Sequence, residues 1–191
     1  MIYDDRIKLF EDELNAISSD EVRNFVKQMF ITVPDYFFTV PASSTGKYHP
    51  NYALGNQGLI RHTKAAVRIA CELFTIHNFL PLERDYIIAA LILHDCCKNG
   101  IEGKEGDYTL STHPLEACTL INNAVNKSEM SETICDLISS HMGQWNTDWK
   151  TGEEILPKPK SEMQFFVHMC DYLASRKCLE FNFDIEISRR W

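Results

Sequence analysis

Six side chains spread over more than half of the chain have the chemistry to hold a metal: His62, His94, Asp95, His113, His141 and Asp171. Ionisable groups are rarely buried unless they are paired or bind metal. Yet each falls where helical spacing places the apolar stripe. His62 leads into Ala65, Ala66, Ile69, Ala70 and Leu73. His94 follows Ile87, Ala90 and Leu91, and His113 leads into Ala117, Leu120, Ile121 and Ala124. His141 follows Ile134, Leu137 and Ile138, and Asp171 lies between Val167 and Ala174. A single histidine on an apolar face is ordinarily a core residue satisfied by backbone. Five helices that each aim such a group inward point instead to a metal site in a helical bundle. The four histidine-bearing stripes carry their histidine near one end, which suits a centre open to substrate.

The donor types narrow the ion. Imidazole and carboxylate suit Mn, Fe, Co, Ni or Zn better than Ca, and the lack of cysteines at ligand spacing argues against a structural zinc site. Adjacent helical residues point about 100° apart, so His94 and Asp95 both reach one ion only where a helix ends. An aspartate has two oxygens, which makes Asp95 the natural shared ligand of a two-metal site.

These side chains need a scaffold, and the pattern predicts an all-α, single-domain bundle. Helices are expected over about 3–17, 18–30, 59–77, 81–98, 112–126, 128–142 and 161–179. Ser18 to Glu21 reads as a cap, Ser111 or Thr112 as another, and Pro114 sits in a first turn. Asn99-Gly100 and Gly143 read as stops. Two long loops remain, 39–58 and 143–160, the latter holding Trp145, Trp149, Pro157 and Pro159. Loops of that length in compact domains are often functional. Residues 1–57 are expected to supply N-terminal helices and a substrate-side loop, residues 58–179 the metal-binding core. Residues 180–191 are expected to form an extended tail whose alternation over 181–187 leaves a homodimer open.

Bulk properties exclude some partners. Hydrophobic residues make up 45% of the 191, enough for a substantial core, and the net charge is −8. That field repels a long polyanion, so extended nucleic-acid binding is not expected, whereas a small nucleotide is compatible. Seven cysteines, an odd number without a C-x-x-C pair, read as buried thiols in a reducing compartment. With no signal-peptide pattern and no apolar run of membrane length, a cytoplasmic protein is expected.

The ordered set H … HD … H … H … D, carried by RHTKAAVRIA, LILHDCCKNG, STHPLEA, LISSHMGQW and HMCDYLASRK, resembles the HD superfamily of metal-dependent phosphohydrolases. The likeness covers roughly residues 58–179. PASSTGKYHPNYALGNQGLIRHT together with LISSHMGQW is similar more particularly to the HD domains of bacterial 3′-to-5′ exoribonucleases and related stand-alone proteins. The chain departs from the exoribonucleases in being acidic and in lacking an OB-type domain ahead of these motifs, so processive RNA degradation is not expected. The resemblance implies one divalent ion on His62, His94, Asp95 and Asp171. It implies a second on His113 and His141, bridged by Asp95. Mn, Fe, Co, Ni, Mg or Zn would serve. Some two-metal members carry a second histidine after the one at 141, where this chain has Met142.

The implied activity is hydrolysis of a phosphoester bond in a nucleotide or short phosphodiester by a metal-activated water, which Asp95 orients. Lys98 fits the HD-x-x-K pattern that binds substrate in this superfamily. Its other reading is a lysine offsetting a helix dipole. Arg61, Lys64 and Arg68 share a face that is ordinarily just solvated, with Arg61 best placed to reach substrate. Arg176, five after Asp171, is expected at the pocket rim or as a surface charge. Ser43, Ser44, Thr45, Lys47 and His49 belong to a loop that suits anions if it folds over the site. Gln144 and Trp145 follow His141, and Trp145 suits stacking on a base or plugging the loop. His168 reads as a satisfied core histidine or a support for the site. Two alternatives keep the fold: a di-iron oxygenase with the same six ligands, and a non-catalytic, metal-dependent nucleotide-binding module.

Overall fold

The computed structural model describes residues 2–43, 45–148 and 150–179. The readings on Ser44, Trp149 and the tail from 180 onward fall outside these residues. Within them lie eight α-helices: α1 (Tyr3–Leu9), α2 (Glu11–Asn15), α3 (Asp20–Thr32), α4 (Gly58–Leu73), α5 (Pro81–Leu93), α6 (His113–Ala124), α7 (Glu129–Ser139) and α8 (Glu162–Ala174). The described residues hold no strand, only an isolated antiparallel bridge between Thr147 and Glu154. The fold is all-α, as the periodicity predicts, and no described helix is long and apolar enough to cross a membrane.

α5 is the central helix. Every residue from Ile87 to Leu93 is buried, so this helix is apolar on all sides rather than on one stripe. It packs against α3, α4, α7 and α8, while α4 pairs with α8 and α6 with α7. Phe10, Phe30, Phe37 and Phe38 form one aromatic cluster, with Phe10 to Phe30 at 5.2 Å and Phe37 to Phe38 at 5.0 Å. Phe74, Phe79 and Phe166 form another near the far end of α4.

Polar groups fix the joints. Asp85, buried on α5, accepts hydrogen bonds from Ser18 N, Ser18 Oγ and Ser19 N, each at 2.8 Å, and so ties the start of α3 to the central helix. The buried Arg6 donates to the carbonyls of Phe30 and Val33 at the other end of α3, where a cation offsets the helix dipole. Ser161 and Gln164 cap α8 reciprocally.

Several boundaries differ from the sequence expectation. The first helix breaks at Phe10, whose buried ring packs on Phe30 and Phe37. α4, α5, α7 and α8 each stop several residues early. Thr112 stands at the start of α6 but makes no side-chain cap bond. The 39–58 loop contains a 3-10 turn at Asn51–Ala53. Gly58, where it meets α4, has no room for a side chain, since a Cβ would lie 2.3 Å from the Ala53 carbonyl oxygen.

Candidate metal centre

The early helix ends are what bring the polar residues together. His94 is the first residue beyond α5, and His141 lies two beyond α7. His113 opens α6, His62 stands near the start of α4, and Asp171 is in the last turn of α8. Because α5 ends at Leu93, His94 and Asp95 turn toward the same centre, which a continuing helix would forbid.

All six side chains converge. His62 Nε2 lies 2.9 Å from Asp171 Oδ1, and His94 Nε2 lies 3.4 Å from that oxygen. Asp95 Oδ2 faces this group, 3.6 Å from His94 Nε2 and 4.0 Å from His62 Nε2. Asp95 Oδ1 faces the other way, 2.9 Å from His113 Nε2 and 3.9 Å from His141 Nε2. The two latter nitrogens are 3.3 Å apart. His94 stands between the halves, because His94, Asp95 and His141 also present donor atoms close enough to share an ion, as do His62, His94 and Asp171.

The ring orientations fit metal ligation. Nδ1 of His94, His113 and His141 lies 2.7 Å from the carbonyl oxygen of Leu91, Leu110 and Ile138, respectively. A carbonyl only accepts, so Nδ1 carries a proton, and Nε2 is the atom each ring can offer to a metal once any proton there is displaced. His94 Nε2 is buried with no hydrogen-bond partner, a costly arrangement that a metal ion would relieve. The donor set therefore fits a divalent ion.

Charge is tightly coupled here. Burial opposes ionisation of Asp95, but Lys98, His94 and His113 hold its carboxyl well below the ordinary range. His62 and His94 do the same for Asp171 against its burial. Burial alone would lower His94, yet Asp95 and Asp171 raise it to about 9. Burial together with the neighbouring His94 and His113 pushes His141 down to about 3.

A cavity of about 530 Å³ opens over the centre. His62, Asp95, His113, His141 and Asp171 form its floor, and Lys98 stands beside them with Nζ 3.1 Å from Asp95 Oδ2. The walls include Tyr48, His49, Thr109, Trp145, Ser175 and Arg176. A larger cavity, about 700 Å³, lies between α2, α4 and α5. No such set of ligands converges there, and its Arg84 donates to the Phe79 carbonyl.

Three residues expected to contact substrate lie outside the cavity lining. Arg61 does not line the site cavity, because its guanidinium donates to the carbonyls of Tyr52, Leu54 and Asn56 and so folds the preceding loop. Lys47 lies outside the cavity, exposed over the Tyr48 ring. Gln144 is exposed, also outside it, and 3.0 Å from His168 Nε2. Lys98, Trp145 and Arg176 do line it.

One supporting residue escaped the sequence reading. Tyr36 is buried, donates to the Gly100 carbonyl at 2.8 Å and accepts from Asn99 N–H at 3.0 Å, which pins the turn carrying Asp95 and Lys98. No periodic signal marks it. The ring of His49 packs 5.4 Å from that of His62, where burial and then His62 and Lys98 lower its pKa to about 3. His168, half-buried, donates from Nδ1 to the His141 carbonyl at 2.7 Å and steadies the turn that carries that ligand. Its ring lies where a Cβ on Gly143 would be, 2.2 Å from His168 Cε1, so only glycine fits there, and φ is +59°.

A family model of the HD domain matches residues 59–176, well over half of the chain. The chain belongs to the HD domain family. The matched span begins just before His62 and ends just after Asp171, so it contains all six converging side chains. This HD domain places its His-Asp pair at the end of the buried central helix and the other ligands on four helix ends around it. No curated protein and no solved structure matches the chain.

Proposed function

We propose that this HD domain protein is a metal-dependent phosphohydrolase that cleaves a phosphoester bond in a nucleotide or short phosphodiester. The observation that carries the reading is the Asp95 carboxylate. Its two oxygens face two separate histidine groups while Lys98 sits 3.1 Å away on the same side as His62 and His94. When bound, divalent ions supply an acidified water and neutralise charge on the phosphoryl oxygens.

The protein groups have distinct tasks in this reading. His62, His94, Asp95 and Asp171 would hold one divalent ion, and His113 and His141, with Asp95, would hold a second. Asp95, kept ionised by its neighbours, would accept a hydrogen bond from the attacking water and orient it. Lys98 has three N–H donors, of which Asp95 takes one, and the others meet a non-bridging oxygen of the substrate. The small cavity and the net charge of −8 favour a small phosphorylated ligand over a long nucleic acid.

The test is hydrolysis of generic phosphomonoesters and phosphodiesters with Mn²⁺, beside an Asp95→Ala variant shown to be folded by circular dichroism. The wild type should turn over at least one ester class and the variant neither. Failure of the wild type with every divalent metal, or oxygen consumption by the iron-loaded protein, would overturn the proposal and favour the oxygenase reading.

A further inference from the structure

One cation on the cavity wall has no acidic partner among the described residues. Arg176 follows the end of α8, and its Nε and Nη2 donate to Ser175 Oγ at 3.1 and 2.7 Å. The Ser175 hydroxyl in turn donates to the Tyr172 carbonyl at 2.7 Å. The guanidinium carbon lies 4.4 Å from the centre of the Tyr172 ring, 5.8 Å from Tyr48 and 5.9 Å from Trp145. Trp145 and Tyr172 stack on each other at 5.6 Å with 20° between planes. Aromatic faces attract a guanidinium without neutralising it.

A guanidinium has five N–H donors, so three remain after Ser175 has taken two. Among the described residues no carboxylate pairs with Arg176, whereas Lys98 is engaged by Asp95. The two cations of the cavity therefore differ in role: one serves the reacting centre, and the other stands away from every ligand carboxylate. In an acidic protein, a pre-positioned and unneutralised planar fork suits an oxyanion. Trp145, 47% exposed beside it, offers a face to a base.

We propose that Arg176 binds a second phosphate of the substrate, separate from the one at the metal centre. The protein then selects a nucleotide with two separated phosphates, such as a nucleoside 3′,5′-bisphosphate, over a nucleoside monophosphate. This assignment rests on the phosphohydrolase reading for its substrate class, but its test does not require turnover.

Dissociation constants for adenosine 3′,5′-bisphosphate and adenosine 5′-monophosphate are measured by calorimetry on chelator-stripped protein, and KM values for both on the Mn²⁺-loaded enzyme. The wild type should favour the bisphosphate by about tenfold to a hundredfold, the worth of one charge-assisted hydrogen-bonded contact. Arg176→Gln should reduce that preference to about twofold or less, mainly through KM, and Arg176→Lys should retain part of it because charge survives while the fork is lost. A wild type with no preference, a measurement that needs no variant, overturns the inference. So does a preference that Arg176→Gln leaves intact. If the preference depends on Arg176 but no phosphoester is cleaved, the hydrolase reading falls and the second-phosphate site stands.

Discussion

Replacing Tyr36 by phenylalanine removes one oxygen and tests how the reactive turn is held. The ring stays, so no cavity opens in the core. What is lost is the bridge from the hydroxyl to Gly100 O at 2.8 Å and from Asn99 N at 3.0 Å. Gly100 is buried and its carbonyl cannot recover a partner from water, whereas Asn99 is half-buried and its N–H can in part. An orphaned buried group costs about 1–3 kcal/mol, so the pair sums to about 2–3 kcal/mol once partial rehydration is allowed. For a domain of this size that lowers the melting temperature by roughly 5–10 °C. Differential scanning calorimetry on chelator-treated protein reads the shift directly. Phosphoester hydrolysis should fall about tenfold as well, because Lys98 and Asp95 share the released turn. Melting within about 1 °C of the parent would refute the view that this hydroxyl holds the turn.

Three further outcomes follow from the same geometry. His113→Ala or His141→Ala should reduce bound metal from about two ions per chain to about one by elemental analysis, whereas unchanged stoichiometry would contradict a second site shared through Asp95. In the metal-free protein His94 is raised to about 9, so below that pH it holds a proton that a metal must displace, and affinity should climb from pH 7 to 9 with proton release in calorimetry. Affinity independent of pH over that window would count against His94 as a ligand. Gly143→Ala should cost about 2–4 kcal/mol in urea unfolding, from the positive φ and the overlap with His168. Adding His168→Ala should recover the steric part only, and a purely additive double variant would show that the two do not touch.

The parts legible in the sequence were those with a period. Helical spacing marked the apolar stripes, and ionisable residues on those stripes marked the six converging groups, because burying them without a partner is costly. Helix ends were harder. α5 and α7 stop just before their ligands although Asn99-Gly100 and Gly143 looked like later stops, since residues 94–99 and 140–144 continue as turns with little change in polarity. Roles that depend on tertiary partners were not legible at all. Arg61 and Arg176 look alike as basic residues near a ligand. Only the fold shows that the carbonyls of residues 52–56 consume the first and that aromatic rings hold the second toward the cavity. Tyr36 acts on a turn more than sixty residues away, and no local pattern encodes that.

The contact between His62 and Asp171 joins positions separated by 109 residues, from the helices α4 and α8 that bracket the HD domain. The unfolded chain offers no such meeting point, so an ion bound there would act as a clasp whose free energy is added to folding itself. The same helix-end location leaves the Phe10–Phe30–Phe37 cluster and the buried body of α5 outside the clasp. An ion bound at the centre would therefore fasten α4 to α8 without touching that aromatic cluster, so its removal should loosen the helix ends before the body.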